Sequence, residues 1–172
     1  MANIKWTADL AHTEVNFKVR HMMISNVSGN FKTFNATMVS DTEDLSKPAS
    51  VEFEADIDSI NTANEQRDGH LKSADFFDAE NYPKLIIKTD DFKNGKVMAD
   101  VTIRGTTKQI PLNVEFFGIV NNGDSTSAGF EITGEISRKE FGLNWNQLTE
   151  AGGAVVSDKV KVDANVEFIK QA

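Results

Sequence analysis

The chain has 172 residues, of which 40% are hydrophobic and only three are proline, so it is neither disordered nor collagen-like. Its length is enough for one sizeable hydrophobic core in a single domain covering residues 1–172. Eighteen Lys and Arg against 26 Asp and Glu give a net charge of −8, which argues against partners that are nucleic acids or anionic membranes. The chain has no cysteine, which excludes disulfides, thiolate nucleophiles and cysteine metal ligands.

The N-terminal residues carry no apolar signal core, and no apolar run approaches the length that crosses a bilayer. We therefore predict a soluble protein that is kept in the cytoplasm and is not stably inserted in a membrane.

Apolar and polar residues alternate with a period of two along most of the chain, which predicts antiparallel β-strands. Seven stretches show the pattern, at residues 15–19, 51–57, 85–87, 97–103, 110–116, 128–136 and 160–168. An eighth passes through Val27 and Phe31, and Phe34 and Met38 then continue it on the opposite parity. A bulge between Phe31 and Phe34 would keep one apolar face and bend the strand.

Two Asn-Gly pairs, Asn94-Gly95 and Asn122-Gly123, separate neighbouring strand patterns. Both residue types tolerate the positive φ of a type I′ turn, so each pair predicts a tight hairpin.

One segment breaks the alternation. Thr62 and Glu65 fit a capping box, which predicts a short helix from there to about Ser73. The helix contains too few apolar residues to lie in a core. We expect it to lie as a plug across one end of the sheet, with Phe76 and Phe77 as its buried anchors.

Eight or so strands, each with one dry face, predict either an up-and-down barrel or a sandwich. In a barrel the dry face lines the lumen, and small inward residues such as Ala36, Ala99 and Gly134 are compatible with a cavity there. A packed sandwich core would have the same composition.

Sequence motifs for catalysis and metal binding are absent. The three histidines, His12, His21 and His70, have no close spacing of the kind that anchors zinc sites. No Gly-x-Ser-x-Gly elbow occurs, and Arg104-Gly105 lacks the spaced glycines of a phosphate loop. The sequence therefore predicts no catalytic residue, no metal site and no cofactor.

Motifs along nearly the whole chain resemble those of the YceI-like family. The most specific surrounds the helix, with Asn64, Arg67, Asp68, His70, Leu71, Lys72, Ser73, Asp75, Phe76, Phe77, Asp78, Tyr82 and Pro83. Others are His12-Thr13, the segment 20–25, Val27-Ser28-Gly29, the segment 99–108, and Arg138-Lys139 before Phe141-Gly142.

The resemblance implies an all-β fold, an extended eight-stranded antiparallel lipocalin-like barrel with one short capping helix. It also implies a lumen that binds an amphiphilic isoprenoid lipid, of polyprenyl or prenylated quinone type, for storage, transport or sequestration. No catalysis is established for the family. Many members carry a signal peptide and are periplasmic, and this sequence departs from that pattern.

On this basis we expect the lipid tail to contact a set of inward apolar residues. They are Phe17, Val19, Phe34, Met38, Phe53, Ile57, Leu71, Phe76, Phe77, Ile87, Val101, Ile103, Val114, Phe116, Phe130, Ile132, Phe141 and Trp145. Polar residues at the barrel mouth are weaker candidates for contacts with a head group. They are Arg20, His21, Arg67, Asp68, His70 and Arg138.

Three alternatives stay open. The polar residues at the mouth could form a salt-bridge network that only pins the plug. The protein could be a small enzyme that acts on an apolar substrate at His21 or His70. The lumen could also be filled, with the barrel acting through protein partners or as a homodimer.

Overall fold

The computed structural model describes residues 3–22, 24–145 and 156–171. Met23, which belongs to one of the motifs above, lies outside these ranges. Within them, no helix is long and apolar enough to cross a membrane. The strands are β1 (Ile4–Ala8), β2 (Glu14–His21), β3 (Ser25–Phe31), β4 (Phe34–Ser40), β5 (Ala49–Asp56), β6 (Ile60–Asn61), β7 (Lys84–Phe92), β8 (Gly95–Ile103), β9 (Thr106–Asn121), β10 (Thr126–Ser137) and β11 (Val156–Lys170). The helix α1 covers Glu65–Lys72.

The sheet closes on itself because β11 pairs with β10 on one side and with both β1 and β2 on the other. β1 and β2 therefore form one barrel strand, interrupted by the 3-10 turn Leu10–His12. β3 and β4 form a second, interrupted at Lys32 and Thr33, and β5 and β6 form a third, interrupted at Ile57–Ser59. With β7 to β11 this makes a closed barrel of eight antiparallel strands, which confirms the predicted fold.

The second and third interruptions lie side by side. The Lys32 N–H donates to the Ser59 carbonyl at 3.1 Å, and the Ser59 hydroxyl donates to the Thr33 carbonyl at 3.2 Å. Phe31 and Phe34, on either side of the phase change, both pack into the core. The change of parity therefore keeps one apolar face, as predicted, although β3 ends and β4 begins where a bulge was expected.

One end of the barrel is filled by a cluster that we call the packed end: Trp6, Met38, Phe92, Phe130 and Phe168. Trp6 and Met38 are fully buried, and the Trp6 indole N–H donates to the Ser40 hydroxyl at 3.0 Å. The Phe130 ring centre lies 4.8 Å from that of Phe92 and 6.0 Å from that of Phe168. Each of these buried side chains stabilises the fold by about 2–3 kcal/mol relative to leaving it in water.

The hairpins predicted at the two Asn-Gly pairs are present, with φ of +110° at Gly95 and +93° at Gly123. The predicted type I′ geometry is wrong, because neither Asn94 nor Asn122 adopts a positive φ. Asn94 instead uses its side chain, which accepts the Phe116 N–H at 2.9 Å.

In the turn between β8 and β9 both central residues have a positive φ, as a type I′ turn requires and as the Asn-Gly pairs do not. Arg104 and Gly105 are its two residues, with φ of +50° and +75°. Arg104 therefore adopts a backbone conformation that favours glycine or asparagine.

Candidate ligand-binding lumen

The inner face of β2, β10 and β11 has a looser packing than the packed end. Phe17 pairs with Val162, Val19 with Val160, and Ala164 with Ile132 across these strands, so their side chains share one face. All of these residues have neighbouring strands on both sides, and all keep some accessible surface. A residue on the inner face in the middle of a sheet keeps accessible surface when the space in front of it is not filled. We call Phe17, Val19, Ile132, Val162 and Ala164 the open wall.

The structure divides the predicted lumen residues into two groups. Nine are buried: Met38, Phe53, Ile57, Phe76, Val101, Ile103, Val114, Phe130 and Phe141. Nine are half-buried: Phe17, Val19, Phe34, Leu71, Phe77, Ile87, Phe116, Ile132 and Trp145. All except Val19 belong to, or pack against, one continuous hydrophobic cluster.

The plug consists of α1 and the following residues as far as Phe77. The N-cap of the helix is Asn64, whose side-chain oxygen accepts the Arg67 N–H at 2.9 Å. The predicted capping box at Thr62 is wrong, because Thr62 lies two residues before this cap. Ala63, between them, has a φ of +62° and turns the chain from β6 into the helix.

Thr62 is buried and holds α1 against β6. Asp68 accepts the Thr62 N–H at 2.9 Å and the Thr62 hydroxyl at 2.5 Å. Arg67 donates to the Thr62 hydroxyl oxygen at 2.8 Å and to the Thr62 carbonyl at 2.6 Å. Arg67 and Asp68, predicted at the mouth, thus make the contacts of the pinning alternative, through hydrogen bonds to one threonine.

Phe76 and Phe77 anchor the plug on two sides. The Phe77 ring meets the Phe31 ring edge-on at 6.4 Å, next to the open wall. The Phe76 ring lies 5.1 Å from the His70 ring and 5.3 Å from Trp145. His70 Nε2 in turn shares a hydrogen bond of 2.9 Å with Asp75.

Arg138 is buried, with 4% exposure. It donates to four backbone carbonyls, those of Leu143 and Trp145 at 2.7 Å, Ser157 at 2.9 Å and Val156 at 3.2 Å. Burial lowers the pKa of Arg138 from its ordinary value, and the charge of the nearby Asp158 opposes that shift. Arg138 therefore ties Leu143 and Trp145 to Val156 and Ser157, and we call these four residues the entrance.

The remaining mouth candidates lie at the end of β2. Arg20 is exposed on the outer face, and His21 is half-buried opposite Val156. The structure therefore does not gather the six polar candidates into one head-group site.

Residues 6–168 match the family model of the YceI-like domain. The chain belongs to this family. A UPF0312 protein of Staphylococcus epidermidis is 38% identical over 168 residues, which are 95% of this chain and 96% of that protein.

Solved structures of YceI-like proteins share the fold. The YceI protein of Campylobacter jejuni, which crystallizes with large solvent channels, is 33% identical with a TM-score of 0.73, covering 95% of this chain and 96% of its own. A polyisoprenoid binding domain from Saccharophagus degradans implicated in plant cell wall breakdown is 15% identical with a TM-score of 0.65, covering 95% and 97%. At that identity the second likeness shows the fold alone.

Sequence reasoning on this YceI-like chain missed two residues that hold the plug. One is Thr62, assigned to a cap. The other is Arg104, whose guanidinium donates to the carbonyls of Phe76 and Gly142, both at 3.1 Å. The signal for Arg104 was its place in the motif of residues 99–108.

It also missed a grouping on the outside of the barrel. Asp9, His12 and Glu167 bring three groups that can ligate a metal within 4.8 Å of one another. His12 Nδ1 lies 2.7 Å from Asp9 and 3.3 Å from Glu167. The hydrogen bond to Asp9 raises the pKa of His12 and the reciprocal bond lowers the pKa of Asp9, so the three act as an ion-paired cluster.

Proposed function

We propose that this YceI-like protein binds the apolar tail of an isoprenoid lipid, of polyprenyl or prenylated quinone type, along the open wall. The observation that carries the proposal is the accessible surface kept by Ile132, Val162 and Ala164 on the inner face of a closed barrel. The fold likeness to a polyisoprenoid binding domain supports the ligand class. The protein would serve to store, transport or sequester this lipid.

The tail would lie between two boundaries. The packed end, with Phe130, forms the floor, and Leu71 and Phe77 of the plug lie at the other end. At about 25 cal/mol per Å², covering roughly 400 Å² of tail contributes on the order of 10 kcal/mol before the costs of association.

We propose a binding protein rather than an enzyme. His70 and Asp75 form a hydrogen-bonded pair, but within residues 3–22, 24–145 and 156–171 no hydroxyl bonds to the His70 ring. A pair of this kind can orient a base, while nucleophilic catalysis also needs the nucleophile within hydrogen-bond reach. Hydrolysis of a prenylated ester that is lost in His70→Ala would favour the enzyme instead.

Native mass spectrometry of the purified protein, followed by solvent extraction, tests the proposal. We expect a C40 polyprenol delivered from detergent micelles to load one molecule per barrel. Ala164→Trp places an indole in front of the open wall and should lower loading at least about tenfold. Asp163→Trp, the adjacent residue on the outer face, should load like the wild type. If the wild type shows only the mass of the ligand-free protein after incubation, the proposal is wrong.

The cytoplasmic location, the absence of a cofactor and the homodimer stay predictions from the sequence.

A further inference from the structure

The turn between β2 and β3 carries apolar side chains into solvent. Ile24 is 81% exposed and Met22 is 43% exposed. Met22 has a φ of +53°, and the Ile24 N–H donates to the His21 carbonyl at 3.2 Å. We call Met22 and Ile24 the β2–β3 tip. This tip extends from the strand that carries Phe17 and Val19 of the open wall.

Cations occupy the outer face of the strands that lead to this tip. Lys18 and Arg20 lie on β2, and Lys159 and Lys161 lie on the neighbouring β11. Lys18 is directly opposite Lys161, an arrangement that costs stability because like charges face each other. Lysine ion pairs among the described residues form elsewhere, at Lys84, Lys88, Lys93 and Lys170.

These four cations line a groove of about 1100 Å³, and Phe17 and Val162 of the open wall are also part of its lining. Its rim also carries Lys96 and the side-chain amides of Asn16 and Asn26, and its acidic residues are Glu135 and Asp163. On a chain with a net charge of −8 this is a local excess of positive charge. Asp158, nearby on β11, is bound by the Ser137 hydroxyl at 2.6 Å.

A second apolar tip, at the other end of the barrel, has the opposite charge around it. Phe117 is 62% exposed and Val120 is 66% exposed near the β9–β10 turn. The strands leading to this turn place Glu115 directly opposite Glu131. The two tips are therefore similar in exposed apolar side chains and differ in the sign of the neighbouring charge.

We propose that the β2–β3 turn docks reversibly on an anionic lipid surface. Ile24 and Met22 enter the boundary between head groups and acyl chains, and the four cations attract the lipid phosphates. Lys18 lies three residues before the end of β2, about 10 Å back along the strand, which is about one Debye length at 0.1 M salt. Net charge predicted repulsion from such a surface, and the local charge distribution reverses that expectation for this face.

The docking gives the open wall access to lipid that leaves a bilayer, so its purpose rests on the proposed function. The test of the docking does not depend on the proposed function, because the protein can bind vesicles without a bound isoprenoid.

Cosedimentation with vesicles of phosphatidylglycerol and phosphatidylcholine, 1:1, tests the docking, with pure phosphatidylcholine vesicles for comparison. We expect the wild type to bind the anionic vesicles and to lose binding as salt rises. A charge near the surface changes affinity about five-fold, so Lys159→Glu with Lys161→Glu should lower affinity at least about tenfold. Ile24→Asp should lower it by a similar factor.

Two matched controls change residues near the packed end of the barrel. Val120→Asp removes an exposed apolar side chain from the other tip, and Lys47→Glu with Lys93→Glu makes the same change in net charge. Both should bind like the wild type. The docking is overturned if the wild type does not bind anionic vesicles, if Ile24→Asp binds them unchanged, or if the controls lose affinity equally.

Loading from micelles separates this proposal from the proposed function. Ile24→Asp should take up the C40 polyprenol from detergent as the wild type does. If the wild type takes up polyprenol from micelles but does not bind vesicles, only the docking is contradicted. A wild type that binds vesicles and never loads contradicts the proposed function alone.

Discussion

The packed end and the open wall belong to the same sheet and share the same alternation, yet they are filled differently. At the packed end, large side chains from β1, β4, β7, β10 and β11 meet, and Trp6, Met38 and Phe130 have 0–2% exposure. On the open wall the residues that face inward from β11 are Val162 and Ala164, which are small and half-buried. Period-two alternation therefore determines which face is dry, and side-chain volume determines whether that face is filled.

The two regions are also stabilised by different interactions. Apolar ring contacts hold the packed end together. Beside the open wall, the plug and the entrance are held by hydrogen bonds that converge on Thr62 and spread from Arg138 and Arg104. A region held this way can keep a defined shape without filling the space in front of it.

The largest expected effect comes from removing a ring at the packed end. Phe130→Ala should lower the free energy of unfolding by about 4 kcal/mol, because it leaves a cavity among close-packed rings. Phe17→Ala on the open wall should cost less, about 2 kcal/mol, because Phe17 is only half-buried although its ring lies 5.7 Å from that of Phe31. Urea unfolding of both variants measures the difference. Equal losses would mean that the open wall is as tightly filled as the packed end.

The next effect comes from Arg138. Arg138→Ala removes the guanidinium hydrogen bonds to four carbonyls and should cost about 3 kcal/mol. Arg138→Lys should recover only part of this loss, because one ammonium group cannot reproduce the planar fork of donors. The exposed neighbour Lys139→Ala is the control and should cost less than about 0.5 kcal/mol. If Arg138→Ala unfolds like the control in a urea titration, the entrance does not depend on these bonds.

The smallest effect is at His12, beside the packed end, and depends on pH. Asp9 and Glu167 raise the pKa of His12 above its ordinary value of 6.5, so its charged form stabilises the fold below that pH. This contribution is lost as pH rises through the raised pKa. The Asp9 pKa is lowered from 3.8, so its share persists above that pH and is lost as pH falls further.

His12→Ala should therefore lower the Tm slightly at pH 5.5 and leave it unchanged at pH 9. Scanning calorimetry measures the Tm of the wild type and the variant at the two pH values. The control is Asp44→Ala, which removes a carboxylate outside the cluster and should change the Tm equally at both pH values. A Tm loss that is the same at both pH values would contradict the ion-paired cluster.

Much of the fold was predictable because alternation is a local property of the sequence. The strands around Phe53, Val101 and Val162 each show it over several residues. β1 was missed although Ile4 and Trp6 flank Lys5, because five residues of alternation are a weak signal alone. The alternation predicted eight or so strands, and the family motifs decided between a barrel and a sandwich.

The candidate site was less predictable because it depends on contacts between distant segments. Both Thr62 and Asn64 are good N-cap residues, and the positive φ of Ala63 decides between them. No local rule gives that φ. In the same way, the roles of Arg67 and Asp68 depend on where Thr62 lies, and the sequence does not show whether they face a ligand or the protein.

The position of β11 has a consequence for how the protein is made. This strand follows all of its partners in the sequence, and it pairs with β1, β2 and β10. The Gln171 N–H also donates to the Lys5 carbonyl at 2.8 Å, so the first and last parts of the barrel meet. During synthesis, three strand edges stay unpaired until residues 156–170 have left the ribosome. Closure is then a late event between distant segments, and strand pairing between distant segments is slow because loop-closure entropy is lost before the contacts form.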